Sequence, residues 1–156
     1  MTMMTPTIAP ESPLGPDLSL IFDRHQAEMH ADTPPESIHM LPREALAAPQ
    51  VAFFVMRLSG QPVAMGALKT IAPGHAEIKS MHVLAEHRGR GLSRLMLRHL
   101  LDHARAAGLH RLSLETGTQA GFAAARGLYA SEGFGDCPPF GDYRTDPHSA
   151  YMTLTI

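Results

Sequence analysis

Residues 86–101 read EHRGRGLSRLMLRHLL, with Gly89 and Gly91 interleaved with Arg88 and Arg90 ahead of an amphipathic run. Glycine costs about 1 kcal/mol against alanine within a helix, so a pair at its mouth marks a backbone that turns sharply or lies close to something. Arginine there faces the positive end of the helix dipole, which is unfavourable unless an anion neutralises it. A phosphate held by free N–H groups and flanking guanidiniums resolves both anomalies. The stretch reads as an anion-binding loop opening a helix. Its apolar stripe is Leu92, Leu95, Met96, Leu100 and Leu101, and it stops at Gly108.

Around this loop the chain alternates in type. PDLSLIFDRHQAEMHAD (16–32) predicts a helix with Leu18, Ile21, Phe22 and Met29 inward and Asp17 as cap. Pro34 and Pro35 break it, and REALAA (43–48) predicts a short second helix. VAFFVMRLSGQPVAMGALKTI (51–71) reads as two strands joined at Ser59–Gly60. HAEIKSMHVL (75–84) is a further strand, with Glu77, Lys79 and Met81 on one face and Ile78, Ser80 and His82 on the other. HRLSLET (110–116) and SAYMTLTI (149–156) read as strands, and GFAAARGLYASEGF (121–134) as a helix closing at Gly133. The class is mixed α/β (α+β) with an early antiparallel meander.

The chain has 156 residues, enough for one domain with a real core. A Pro-, Thr- and Ser-rich stretch at 1–16 reads as a mobile leader in which a weak first strand can hide, and 17–156 as the single domain. With 44% hydrophobic and 18% charged residues this is an ordinary globule, and a net charge of −2 argues against a nucleic-acid partner. The single cysteine, Cys137, suits a reducing, cytoplasmic setting. No apolar run approaches the roughly 18 residues of a membrane span.

Three phosphate loops compete for residues 88–93. A Walker loop needs a lysine after its last glycine, where Leu92 stands; a dinucleotide fingerprint needs a third glycine, where Arg94 stands. The third pattern, Arg/Gln-x-x-Gly-x-Gly/Ala, fits as Arg88-Gly89-Arg90-Gly91-Leu92-Ser93, with a small serine in the final place. Together with Leu128-Tyr129 and Gly133-Phe134 downstream, it makes the chain resemble the GCN5-related N-acetyltransferases. A bacterial subgroup is closer still, through PPESIH (34–39), GALK (66–69), EIKSM (77–81), RLSLETG (111–117) and FGDYRTDPHS (140–149).

The resemblance implies a central mixed, largely antiparallel sheet of six or seven strands, splayed between its fourth and fifth strands and flanked by about four helices. It implies an acetyl-CoA-dependent N-acetyltransferase acting on a small-molecule amine by direct attack in a ternary complex. Pantetheine would bond the backbone of Met81, His82 and Val83, with the Met81 N–H as oxyanion donor. Arg88, Gly89, Arg90, Gly91, Leu92 and Ser93 would hold the pyrophosphate. Glu77, eleven residues before Arg88, takes the general-base place, against a plain reading as an exposed strand carboxylate paired with Lys79 or Lys69. Tyr129 takes the general-acid place, against a plain reading as a core-edge aromatic. Phe122 stands where many members carry an asparagine. The resemblance leaves a homodimer open.

Candidates for the acceptor site are Glu36, His39, Lys79, Glu115, Asp142 and Tyr143, with Arg144 and Asp146 beside them. Their acidic members suit a cationic amine, while Lys79 and Arg144 suit a carboxylate. His99 and His103, at i and i+4, read as a helix face rather than a metal site. Two other readings remain: a non-catalytic acyl-CoA sensor, which needs neither Glu77 nor Tyr129, and acetylation of a protein or peptide amine.

Overall fold

The computed structural model describes residues 5–156. Its sheet has seven strands in the order β1-β2-β3-β4-β5-β7-β6. They are β1 (Thr7–Pro10), β2 (Val51–Leu58), β3 (Gln61–Ala72), β4 (His75–Val83), β5 (Arg111–Gly117), β6 (Gly135–Asp136) and β7 (Ser149–Thr155). Neighbours are antiparallel except β4 and β5, which are parallel. The helices are α1 (Ser19–Asp32), α2 (Leu92–Ala106) and α3 (Ala123–Ser131).

Several local expectations are corrected. Within the expected leader, Thr7–Pro10 pair with β2 from Thr7↔Arg57 to Pro10↔Phe54, and residues 1–4 lie outside the described residues. Asp17 does not cap α1; its carboxylate pairs with Arg57 at 2.6 Å. Of the four helices foreseen, Arg43–Ala47 is a 3₁₀ turn. β6, two residues long, has too little pattern to show in sequence. The Ser59–Gly60 hairpin is as read, both residues having positive φ (49° and 81°) as a tight primed turn requires.

The alternation of β2 splits the core. Phe54 and Met56 face α2 and join Met96, Leu97 and Leu100; Phe53 and Val55 face α1 and join Leu18, Ile21 and Met65. Leu97, not Leu95, belongs to the buried stripe of α2, and Leu95 is 45% exposed. On β4 the expected alternation fails at one point. Met65 lies opposite His82 and Ala67 opposite Lys79, so β4 carries an extra residue there, and Ser80 takes a φ of 56°. This bulge turns Met81 away from the face of Glu77 and Lys79 and onto the α2 side, against Met96 and Gly66.

Leu100 is fully buried between α2 and the sheet. Leu100→Ala is expected to lower stability by about 2–5 kcal/mol in urea denaturation, the usual cost of a cavity in a packed core.

Candidate active site

β4 and β5 pair at His75↔Arg111, Ala76↔Leu112 and Glu77↔Ser113, and part beyond that point. The parting strands flank a cleft of about 480 Å³ whose lining includes Met81, His82, Val83, Glu115 and Tyr129. Strand edges facing a gap offer backbone N–H and C=O groups to whatever enters.

The gap leads to the mouth of α2. Gly89 and Gly91 have φ of 80° and 76°, and a Cβ on either would meet nothing within 4 Å. Gly91 is the residue capping α2, and no side chain caps the helix there. The first N–H groups of a 15-residue helix thus lack a side-chain cap beside the cleft, a setting suited to an anion. Gly89, Gly91, Leu92 and Ser93 line the cleft, and the Leu92 side chain also belongs to the core.

The arginines divide in a way the sequence does not show. Arg88 lines the cleft, but its guanidinium is held by both oxygens of Glu28 at 2.7 Å, and its Nε donates to the Val83 carbonyl at 3.0 Å. Arg90 is exposed and does not line the cleft. Arg94 does, while bonding Ser131 and Glu132 on the α3 side.

Two carboxylates, Glu77 and Glu115, and a phenol, Tyr129, are the candidates for proton chemistry. Glu77 is buried, its side chain 7% exposed, and its Oε2 accepts from Tyr143 Oη at 2.5 Å and from Lys79 Nζ at 3.3 Å. Lys79 Nζ also donates to the His39 carbonyl and to Tyr143 Oη, both at 2.9 Å, so its three protons are committed. The plain reading of Glu77 as the partner of Lys79 therefore describes its contacts. Glu115, on β5 beyond the parting, lines the cleft, and burial raises its carboxyl above the ordinary range. Tyr129 also lines the cleft; it is buried against Phe134, and burial raises its hydroxyl well above its usual value. Both plain and catalytic readings of Tyr129 fit this place.

A second cavity, about 690 Å³, is bounded by Glu36, His39, Glu77, Lys79, Asp142 and Tyr143, with Lys69 and Arg144. His39 and Lys79 line both cavities, so the two meet at the parting of the strands. Ser37 Oγ donates to Asp146 Oδ2 at 2.6 Å, tying the loop before β2 to the loop before β7. Five of the six acceptor candidates thus bound the second cavity, and Glu115 faces the first.

The sequence reading missed the contribution of α1. His25 Nδ1 lies 3.2 Å from His82 Nδ1, and Glu28 Oε2 lies 3.4 Å from the same atom. These contacts join residues more than fifty apart, and no spacing rule reaches them. His99 and His103 pack edge-on against Phe54 at 4.8 and 4.9 Å, and no metal-holding cluster occurs among the described residues.

Burial pushes both His25 and His82 down to about 4, against an ordinary 6.5. The unfolded chain takes up these protons from about pH 6.5, while the folded chain resists until about 4. Stability present above pH 6.5 is therefore expected to fall steadily as pH drops toward 4. Urea denaturation at several pH values measures this, and His25→Asn is expected to flatten the slope.

The sequence profile of the acetyltransferase (GNAT) family matches residues 18–134. The chain is 43% identical over 150 residues to the Escherichia coli protein named uncharacterized N-acetyltransferase YedL, covering 96% of this chain and 94% of that one. It is 40% identical over 151 residues to the IAA acetyltransferase of Azospirillum brasilense, covering 94% and 95%. Among solved structures, one from Klebsiella pneumoniae, titled as an acyl-CoA N-acyltransferase, superposes with a TM-score of 0.79 at 26% identity, covering 96% and 97%. The PaiA N-acetyltransferase of Thermoplasma acidophilum, solved with coenzyme A, shares the fold with a TM-score of 0.72 at 14% identity, covering 98% and 100%. With its splayed sheet, its uncapped helix mouth and a profile match over most of its length, the chain belongs to the GNAT family of acetyltransferases and is an N-acetyltransferase.

Proposed function

We propose that the protein transfers an acetyl group from acetyl-CoA to the amine of a small molecule, by direct attack within a ternary complex. The observation that carries this reading is the gap between β4 and β5, with the uncapped N-terminus of α2 at one end and a second cavity sharing His39 and Lys79 beside it. The residues fit the ligand: unsaturated strand edges beside Met81, His82 and Val83 for an amide-bearing arm, and the glycine loop at 88–93 for a pyrophosphate. Acetyl-CoA supplies the thioester carbonyl that the amine attacks and the thiolate that leaves.

The chain's own groups handle the protons. Glu115, kept basic by burial and placed in the cleft, takes the proton from the incoming ammonium through its carboxylate. Tyr129 stays protonated because burial disfavours its anion, and its hydroxyl gives a proton to the leaving sulfur. The Met81 N–H supports the carbonyl oxygen. Glu77, the base that the family spacing points to, has Oε2 committed to Lys79 and Tyr143, and in this reading it holds those two residues in place at the acceptor cavity. Glu36, His39 and Asp142 border the amine's approach. Among the described residues no helix is long and apolar enough to cross a membrane, and the free Cys137 accords with a cytoplasmic setting.

Release of free thiol from acetyl-CoA, assayed across a panel of small amines and a lysine peptide, tests the reading. Turnover with an amine supports it. Turnover with the lysine peptide and with none of the small amines overturns the small-molecule reading in favour of a protein or peptide amine.

Three substitutions test the roles of these groups. Glu115→Gln is expected to lower kcat/KM by about 10²–10⁴-fold at neutral pH, with partial recovery at alkaline pH where free amine is abundant. Glu77→Gln is expected to act mainly on the amine KM. If the alkaline recovery belongs to Glu77→Gln and Glu115→Gln is neutral, the roles of the two carboxylates are reversed. Tyr129→Phe is expected to lower kcat with acetyl-CoA affinity intact, as calorimetry would show.

A further inference from the structure

The second cavity has a sheet wall and a loop wall. Lys69, Glu77 and Lys79 come to it from β3 and β4, and Glu36, Asp142 and Arg144 from the loops before β2 and β7. Several charges around it are already matched within the protein. Glu77 accepts from Lys79 and Tyr143, and all three protons of Lys79 are committed. Asp146 is held by Ser37 Oγ at 2.6 Å and by the His148 N–H at 2.8 Å.

Two cations are left over. Lys69 stands opposite Glu77 in the β3–β4 register, on the same face of the sheet. Glu77 turns instead to Tyr143 and Lys79, and the Lys69 ammonium has no hydrogen bond or ion pair among the described residues. The Arg144 guanidinium has none either. Its backbone is pinned, the carbonyl accepting from Tyr151 Oη at 2.5 Å. Glu36 and Asp142 are free anions, and both are exposed on the loops.

The sign of the sheet wall decides which ligand suits the cavity. Lys79 and Glu77 cancel, so Lys69 leaves that wall net positive. A diamine or polyamine would set its second ammonium against this charge, and like charges repel. A carboxylate is drawn to it, with Arg144 able to donate from the loop side. Position agrees with charge. Lys69 is level with Glu77, the last β4 residue to pair with β5, whereas His39 and Lys79 stand where the two cavities meet. A molecule with its carboxylate at Lys69 and Arg144 extends its amine toward that junction.

We infer that the acceptor is an amine that also carries a carboxylate, an amino acid or a close analogue, and that Lys69 and Arg144 select it. Glu36 and Asp142 suit the ammonium end as it arrives. The inference rests on the amine-acetylating reading of this cavity and narrows it.

Matched acceptors test it: leucine with isoamylamine, phenylalanine with phenethylamine, and β-alanine with ethylamine, each pair differing by one carboxylate. Thiol release from acetyl-CoA gives kcat and KM for every member, in the wild type and in Lys69→Met, Arg144→Gln and Lys69→Arg. The wild type is expected to favour the acid of at least one pair by about tenfold or more in kcat/KM. Lys69→Met and Arg144→Gln are each expected to cut that preference about threefold to tenfold, through the KM of the acid rather than kcat. Lys69→Arg keeps the cation and is expected to keep most of the preference. Amine basicity cancels, because the same pair is compared between proteins.

Turnover of the plain amines with no preference for any acid overturns the inference and leaves the amine-acetylating reading intact. A preference that survives both Lys69→Met and Arg144→Gln overturns it too, as does an equal loss in Lys69→Arg, which would make Lys69 a matter of shape. Absence of thiol release with every member of the panel overturns the small-amine reading and this one together.

Discussion

A β-sheet is stable because each strand saturates the hydrogen bonds of the next, and this protein interrupts that rule inside its own sheet. β4 and β5 share three register pairs and then separate. The interruption is tolerable because each strand is held on its other side, β4 by β3 along most of its length and β5 by β7 through all seven residues. α2 and α3 border the same cleft, through residues such as Met96 and Leu128. The gap between the two strands is therefore a feature of a rigid frame, and the site it makes needs no large movement to form.

Electrostatics reinforce that frame from the α1 side. Arg24 reaches Glu86 at 2.8 Å, and Arg88 is gripped by Glu28, so two ion pairs stitch α1 to the turn that leads into the glycine loop. Both pairs are about half exposed, and pairs of this kind add little to stability in water. Their value lies in orientation. They set where the loop begins relative to the ring of His82 and the end of β4.

Much of this was legible in sequence, and the reasons for the rest are specific. The glycine loop, the Ser59–Gly60 turn and the apolar stripe of α2 follow from local rules about φ, turn type and helical period, so they could be read residue by residue. The exchange of Leu95 for Leu97 in that stripe shows the limit, since both fit an apolar face and packing against the sheet decides between them. β1 could be read only as a weak strand hidden within 1–16, because Thr7–Pro10 has little pattern and owes its existence to β2. The pairings of Glu28 with Arg88 and of Tyr143 with Glu77 span sixty or more residues and come from the way the chain closes on itself. Glu77 was singled out by spacing alone. The spacing located the residue on β4, and its contacts with Lys79 and Tyr143 come from the fold.

The extra residue at Ser80 has a further consequence for how this strand can vary. Without it, side chains before and after that point would obey one alternation, and a change suited to one ligand would constrain the other. With it, residues 75–79 and 81–83 are decoupled in phase: the first group meets the second cavity through Glu77 and Lys79, the second meets the cleft between β4 and β5 through Met81 and His82. Side chains on the second cavity can change upstream of Ser80 while the stretch beside the cleft keeps its own register. Deleting that single residue would turn Met81, His82 and Val83 inside out together. One irregular position thus lets a single strand face two cavities as separable modules.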